Sequence, residues 1–486
     1  MANKNNLPYI NKITNPKGLK KDQYDVIIIG AGIGGLVCGC YLAKAGLKVL
    51  IVEKNQKPGG YCTSFERDGF RFDSCVHSLE GFGENGKLFF LSNELNLWNY
   101  LKIIRVDPSD TFFIEDKNFS LWNNYNKTIY NLQEIFPNER KNIFSFLNWI
   151  KSVSFFELYR KYINLTAKEL LDIFFLDKYL KKIFYAFCRN YGVPIENLLA
   201  INFVLFLKEY IFDNGYYPYG GMQALPNALV LKFKEYGGKL LLNSYVSKII
   251  FKDDKAIGAV VNKNILLGKK IVSACDLTNT LLKLIGKEYI PKKILKTIKN
   301  YIYTTSVFLV YLGFKKSFLF KGLNNWFFKD WDFDFRFNEI FSKNKIYAGD
   351  FLLTQAPYSE SKGKTAFITI NVNYKTKKFW KFNKDKLSIK LIKNLEKLFP
   401  NIKNNIEFFE SVSPLDLEKI TENKKGTLHG WVSTFKQLEN ISMLRYFSPK
   451  NIFFVGHWIF YVGHGGIPAV VENARITAKK IIDKKL

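Results

Sequence analysis

The chain has four histidines, His77, His429, His457 and His464, and two of them stand seven residues apart in VGHWIFYVGHGGIPAVVENARI, Val455 to Ile476. Two imidazoles at that spacing could ligate a metal, act as an acid–base pair, or hydrogen-bond to a ligand that the backbone holds. A metal would need further nitrogen, sulfur or carboxylate ligands. The surrounding residues are glycines instead, Gly456, Gly463, Gly465 and Gly466, so no metal site is expected. The six cysteines, Cys38, Cys40, Cys62, Cys75, Cys188 and Cys275, form no C-x-x-C pair, which argues against a zinc or thioredoxin-like centre.

The most informative chemistry lies near the other end, in YDVIIIGAGIGGLVCGCYLAKAGLKVLIVEKN. Val26 to Ile29 are apolar and β-branched without interruption, as in a buried parallel strand. Gly30, Gly32 and Gly35 then spell G-x-G-x-x-G. A helix is expected from Gly34 to Gly46, with Leu36, Cys40 and Ala43 facing the sheet, and a second strand from Lys48 to Val52, ended by Glu53. Gly30 allows the tight turn, Gly32 lets backbone approach a pyrophosphate, and Gly35 lets helix and strand pack closely. The helix N-terminus offers unpaired N–H groups and partial positive charge to the phosphates. Glu53 lies 18 residues beyond Gly35, where a carboxylate accepts hydrogen bonds from a ribose. Strand, helix, strand and acid in register point to a bound dinucleotide.

The next stretch, EKNQKPGGYCTSFERDGFRFDSCVHSLEGFG, sets the glycine pair Gly59 and Gly60 just beyond the acid. It resembles the extended fingerprint of flavoproteins of the phytoene desaturase group, which includes carotenoid cis–trans isomerases and retinol saturases. GGYCTSFERDGFRFD followed by His77 is similar to the isomerase and saturase branch rather than to the amine oxidases. Many relatives have Arg directly after the glycine pair, where this chain has Tyr61. The middle segment YYPYGGMQALPNALVLKFKEYGGKLLLNSYVSKIIFKDDKAIGAVV also resembles the group. Its helix is expected from about Met222 to Tyr236, and the resemblance sets the Val246 backbone against the adenine of FAD. KKIVSACD, Lys269 to Asp276, is similar to the strand that returns beneath the cofactor. At the C-terminal end, Asn451 to Val455 reads as a strand and Gly456-His457 takes the place of a Gly-Asp pair. Gly463 to Gly466 form a turn, and Pro468 fits the first turn of a last helix. The resemblance thus implies non-covalent FAD held by Gly30, Gly32, Gly34, Gly35, Glu53, Lys54, Gly59, Gly60, Val246, Gly456, His457, Gly465, Gly466 and Ile467. His77 is the catalytic candidate, its alternative a hydrogen-bonded loop histidine packed under the flavin; His464 reads as a solvated turn residue in preference to a catalytic one, and His429 as structural.

The implied fold is α/β. A Rossmann-like FAD domain of the glutathione reductase type is assembled from residues 22–80, 216–290 and 441–486. The insertions 81–215 and 291–440 form an α+β substrate domain, the first rich in amphipathic helix, the second alternating strands such as TTSVFLVYLGF and KTAFITINVNY with helix. Residues 1–21 read as a flexible leader without a signal-peptide core. With 486 residues and 47% hydrophobic residues, the chain can bury more than one core.

The net charge of +29 suits an anionic partner. The lysines are scattered without a basic block, and nucleic acid is not expected. No stretch is long and apolar enough to span a membrane. The Lys-rich, aromatic segment between 140 and 215 could lie on an anionic membrane surface. The cysteine usage suggests the cytoplasm. The resemblance implies an FAD-dependent oxidoreductase acting on C–C or C=C bonds of a hydrophobic small molecule, a carotenoid, retinoid or other isoprenoid. Hydride would pass between substrate carbon and flavin, in desaturation, saturation or isomerisation. Two alternatives share the fold: a non-catalytic prenyl- or lipid-binding protein like the Rab GDP-dissociation inhibitors, and an amine oxidase.

Overall fold

The computed structural model describes residues 23–315, 322–357, 361–434, 437, 451–459 and 466–483. The leader, residues 441–450 and the turn residues Gly463, His464 and Gly465 lie outside the described residues.

The apolar run near the start becomes β1, Tyr24–Ile29, with Val26 to Ile28 fully buried. Its neighbours are β2, Val49–Val52, and β12, Asn264–Ser273, both parallel to it. β9, Lys239–Leu241, extends the sheet beyond β2, and β18, Ile452–Phe454, adds parallel to β12. A strand hydrogen-bonded on both sides and covered on both faces has no use for polar side chains, which is why β1 carries none beyond Asp25. β12 performs two tasks along its length. Asn264 to Leu267 pair antiparallel with β11, Lys255–Val261, which pairs in turn with β10, Val246–Lys252. From Gly268 onward, β12 runs parallel beside β1. The Asp253-Asp254 turn joins β10 to β11 with both residues at positive φ, a conformation that Asp tolerates better than most residues.

Helix Ile33–Lys44 follows β1. The sequence suggested one apolar face toward the sheet, but the structure buries Val37 and Cys38 as completely as Leu36 and Cys40. Helices Ala224–Glu235 and Ile467–Asp483 pack on its other sides. A helix enclosed by three neighbours is apolar all round, and IGGLVCGCYLA is such a segment. Pro468 lies in the first turn of the last helix.

The second sheet runs β17-β13-β16-β15-β14-β6-β7. β6, Asp110–Ile114, and β7, Lys117–Leu121, come from the stretch after the first FAD-like segment. β13, Ser306–Phe314, β14, Asn324–Phe328, β15, Phe351–Gln355, β16, Lys364–Val372, and β17, Ile406–Val412, come from the later stretch. The parallel pairing of β14 with β6 joins them. The first insertion is rich in helix, and these early strands add to it; β6 and β7 are short and their pairing partner lies about two hundred residues away in the chain, so the sequence did not single them out. All nine residues of β13 are buried. Phe308, Val310, Leu312 and Phe314 meet helix Lys377–Leu398 on one face, with Phe308 stacked on Trp380. Tyr311 on the other face meets Phe72 of a ribbon formed by β3, Ser64–Arg67, and β4, Phe70–Asp73. A second ribbon pairs β5, Ile103–Arg105, with β8, Tyr216–Pro218. Among the described residues, no helix is long and apolar enough to cross a membrane.

Candidate functional site

A cavity of about 350 Å³ runs from the C-terminal end of β1 to the second sheet, a size typical of ligand sites. Its lining includes Gly30, Gly32, Gly34, Glu53, Lys54, Gly59, Gly60, His77, Val246, Gly456, His457, Gly466 and Ile467. Residues scattered over more than four hundred positions of sequence thus meet on one wall. Gly35 lies beneath that wall: a Cβ there would stand 2.1 Å from the Gly30 carbonyl oxygen. Gly465 lies outside the described residues.

The end near β1 is made of backbone. Gly32 caps helix Ile33–Lys44 with no side-chain hydrogen bond, and a Cβ on it would meet nothing within 4 Å. The space it leaves belongs to the cavity. Gly59 bridges to Gly32, and its N–H donates to the Ala31 carbonyl at 2.8 Å. A side chain at Gly59 would collide with the Cys62 carbonyl at 2.5 Å, so the glycine pair closes against the first loop. Glu53, only 7% exposed, ties these parts together. Its Oε2 accepts from Ala31 N–H and its Oε1 from Asn55 N–H, both at 2.8 Å. The carboxylate therefore holds the phosphate-type loop in shape as well as facing the cavity, a role beyond the ribose contact that spacing suggested. Lys54 donates from Nζ to the Ile420 carbonyl at 2.7 Å. Tyr61, standing where similar sequences have Arg, donates its hydroxyl to the Thr427 carbonyl at 3.0 Å. It supplies no cation.

Gly456 sits against this end: a Cβ at Gly34 would approach its nitrogen to 3.0 Å. His457 follows, its ring 6.1 Å from Tyr61 and 5.5 Å from Trp458. Burial, with the nearby His429, pushes its imidazole down to about 3, so the ring is neutral at physiological pH. Its Nε2 is buried without a hydrogen-bond partner among the described residues. A buried ring nitrogen on the cavity wall and an open cradle at Gly32 are what a bound dinucleotide with a polar ring system would satisfy, and the residues fit FAD.

The opposite end is built from side chains. His77 follows β4 and packs edge-on to Trp326 at 6.4 Å. Burial lowers it to about 4, opposed by the side chains of Asn324 and Asn190. β4 is anchored by Asp73, whose Oδ1 accepts from Ser64 Oγ at 2.6 Å and Met222 N–H at 2.8 Å, and whose Oδ2 accepts from Tyr217 at 2.5 Å.

Glu80, Arg189 and Asn190 also line the cavity and were not singled out from sequence. Burial and the neighbouring carboxylates of Glu209 and Asp110 push Glu80 up to about 8. The signal for Arg189 was present: it is a cation within the Phe- and Tyr-rich stretch of helix Lys178–Tyr191. His429, assigned a structural role from sequence, is also on the cavity wall. Cys75 and Cys275 line the cavity with thiols pushed up to about 12 by burial, so neither offers a thiolate. Among the described residues, no group of three or more His, Cys, Asp or Glu side chains could hold a metal ion.

The sequence matches the family described as "Flavin containing amine oxidoreductase" over residues 33–482. It is 30% identical to prolycopene isomerase 2 (chloroplastic) of an Oncidium hybrid cultivar over 324 residues, 60% of this chain and 55% of that protein. The chain therefore spans about half the length of three of the prolycopene isomerases to which it is similar. It is 23% identical to all-trans-retinol 13,14-reductase of Rattus norvegicus over 534 residues, 96% of this chain and 86% of that protein. Its fold is similar to that of an oxidoreductase from Methanosarcina mazei, with TM-score 0.66 and 16% identity over 93% of this chain and 99% of that one.

Proposed function

From the premise that this chain belongs to the flavin containing amine oxidoreductase family, we propose that it is an FAD-dependent oxidoreductase acting on carbon–carbon bonds of a long apolar molecule of polyene or isoprenoid type. The observation that carries the proposal is the continuity of one cavity, from a backbone-lined end at Gly30 and Gly32 to an end lined by Phe328, Phe351, Leu352 and Trp326. The names of the relatives, a prolycopene isomerase and a retinol reductase, support a polyene. Gly30, Gly32 and Gly34 would take the pyrophosphate, Glu53 the ribose, Val246 the adenine, and Gly456, His457, Gly466 and Ile467 the flavin. When bound, the flavin supplies hydride transfer to or from carbon. The chain's own residues exclude water with aromatic walls, hold the loops rigid through Glu53, and present His77 as a neutral imidazole able to accept or donate a hydrogen bond.

The test is anaerobic incubation of the purified, chemically reduced holoprotein with all-trans-retinol and with a poly-cis carotene. Chromatography should show a saturated or isomerised polyene. Reduction of the oxidised holoprotein's flavin by primary amines in a parallel anaerobic incubation, with the polyenes unchanged, would favour the amine oxidase reading. Acid precipitation should leave the yellow chromophore in the supernatant; colour in the pellet would refute non-covalent binding.

We further propose peripheral docking on anionic lipid at the cytoplasmic face. Helices Arg140–Ser152, Phe155–Tyr162 and Ala167–Phe174 meet through Trp149, which contacts Tyr162 and Phe174. Their outer surface exposes Phe144, Phe155, Phe156 at 70%, Ile173 and, just beyond, Leu176 at 88%. Lys151, Arg160, Lys161 and Lys168 share these helices. Apolar side chains beside cations suit an anionic interface. All six cysteines are free thiols, in keeping with a reducing compartment. Vesicles containing phosphatidylserine should pellet the protein at low salt and release it as salt rises. Protein left in the supernatant at low salt would overturn the docking.

A further inference from the structure

The inner end of the cavity is not uniformly apolar. Arg189, 5% exposed, lies near the end of helix Lys178–Tyr191 and lines the cavity. Its Nε donates to Asn371 Oδ1 at 3.1 Å and its Nη2 to the Asp350 carbonyl at 3.4 Å. Among the described residues its Nη1 is buried with no hydrogen-bond acceptor; its ion pair with Asp350 Oδ2 is long, at 3.8 Å. That carboxylate is engaged elsewhere. Arg336 takes both its oxygens at 2.7 Å, while also bonding Asp330, and Lys329 N–H donates to Oδ1 at 3.1 Å. The rings of Phe328 and Phe337 flank the Arg189 guanidinium at 5.8 and 5.1 Å, keeping bulk water away.

The next residue repeats the pattern. Asn190 lines the same cavity, and its Nδ2 is buried without an aligned hydrogen bond, although His77 and Tyr210 lie near it. Among the described residues, two donors on consecutive residues thus lack aligned acceptors, beside the apolar Phe328, Phe351, Leu352 and Trp326. Buried donors in native proteins are paired, and a site that offers hydrogen bonds discriminates strongly against a ligand that cannot make them. A pure hydrocarbon would leave both donors unmet. Glu80 on the same cavity is held protonated at neutral pH by its burial, so it adds no negative charge to repel an oxygen.

We infer that the substrate bears an acceptor oxygen, as a hydroxyl, carbonyl or carboxylate on an otherwise apolar chain, and that Arg189 and Asn190 receive it. The inference rests on the reading of this cavity as the site of a long apolar substrate.

The test measures binding rather than turnover. Flavin-loaded protein is titrated with three probes of one skeleton: all-trans-retinol, all-trans-retinoic acid and the corresponding hydrocarbon without oxygen. Quenching of tryptophan fluorescence reports occupancy. The alcohol or the acid should bind about tenfold or more tightly than the hydrocarbon. A stronger preference for the acid would identify a carboxylate, a stronger preference for the alcohol a hydroxyl. Asn190→Leu and Arg189→Met should each remove most of that preference and leave hydrocarbon affinity unchanged. Arg189 also holds Asn371 and Asp350, so its variant risks misfolding. Asn190 Nδ2 makes no aligned hydrogen bond among the described residues, and Asn190→Leu keeps the test open. Equal binding of all three probes to the wild type would overturn the inference and leave the apolar-substrate reading standing. Binding of none would overturn both.

Discussion

The two ends of the cavity are built on different principles. The end at β1 is made of glycines and backbone N–H groups, with one carboxylate, Glu53, stitching its loops together. The end at the second sheet is made of side chains contributed by distant segments: His77, Glu80, Arg189, Asn190, Trp326 and Asn371. Backbone recognition demands the absence of atoms, so it is fixed by where glycine stands. Side-chain recognition demands particular groups at particular depths, so it depends on how helix Lys178–Tyr191 and the ribbon of β3 and β4 pack. The first design suits a cofactor of fixed shape, the second a substrate that can differ between related proteins.

Substitutions test this contrast, and the largest effect should come from below the backbone end. Gly35→Val would drive a side chain into the Gly30 carbonyl, 2.1 Å from the Cβ position. The expected loss is about 3–4 kcal/mol of stability, seen as little soluble protein or a lowered denaturation midpoint. Gly32→Val, three residues earlier, should give the opposite division of effects. No protein atom lies within 4 Å of its Cβ position, so the chain should fold, melt much as the cofactor-free wild type does, and retain no flavin. A Gly32→Val protein that still binds flavin would break the assignment of this end to the cofactor. Glu53→Ala should fall between them, because it strips acceptors from Ala31 and Asn55. A loss of about 2 kcal/mol in urea unfolding should accompany weaker flavin retention.

The smallest effects should come from the titrating groups. His77 and His457 are lowered to about 4 and about 3 from 6.5. As pH falls below 6.5, the unfolded chain takes up protons that the folded one refuses. Their contribution is therefore complete above pH 6.5 and lost as pH falls through about 4 for His77 and about 3 for His457. Glu80, raised from 4.5 to about 8, has the reverse sign: its contribution is complete below 4.5 and lost as pH rises to 8. Urea unfolding of Glu80→Gln should show roughly 1–2 kcal/mol less loss of stability between pH 5 and 8 than wild type, since Glu209 and Asp110 share the burden. An unchanged pH profile would show that Glu80 is ionised in the folded protein.

Legibility in the sequence followed the same division. The β1 loop, Glu53, the glycine pair and the Gly456-His457 pair were found from their spacing or their resemblance to a known pattern, and they line one cavity. The sequence left local chemistry incomplete where an element's surroundings mattered. Helix Ile33–Lys44 looked one-sided, yet two further helices enclose it. Glu53 looked like a ribose ligand alone, yet both its oxygens also hold backbone N–H groups. His429, read as structural, also lines the cavity.

By itself the sequence determined the backbone-lined end. Turn geometry, close approach and helix start are properties of consecutive residues, and glycine expresses them wherever it stands. Only the tertiary structure decided the other end. Glu80, Arg189 and Asn190 acquire their character from burial, from carboxylates already committed to Arg336, and from aromatic rings that exclude water. None of these conditions is a property of neighbouring residues in the chain. They arise when strands from two separated stretches pair as β6 and β14 and place helix Lys178–Tyr191 over the sheet they complete.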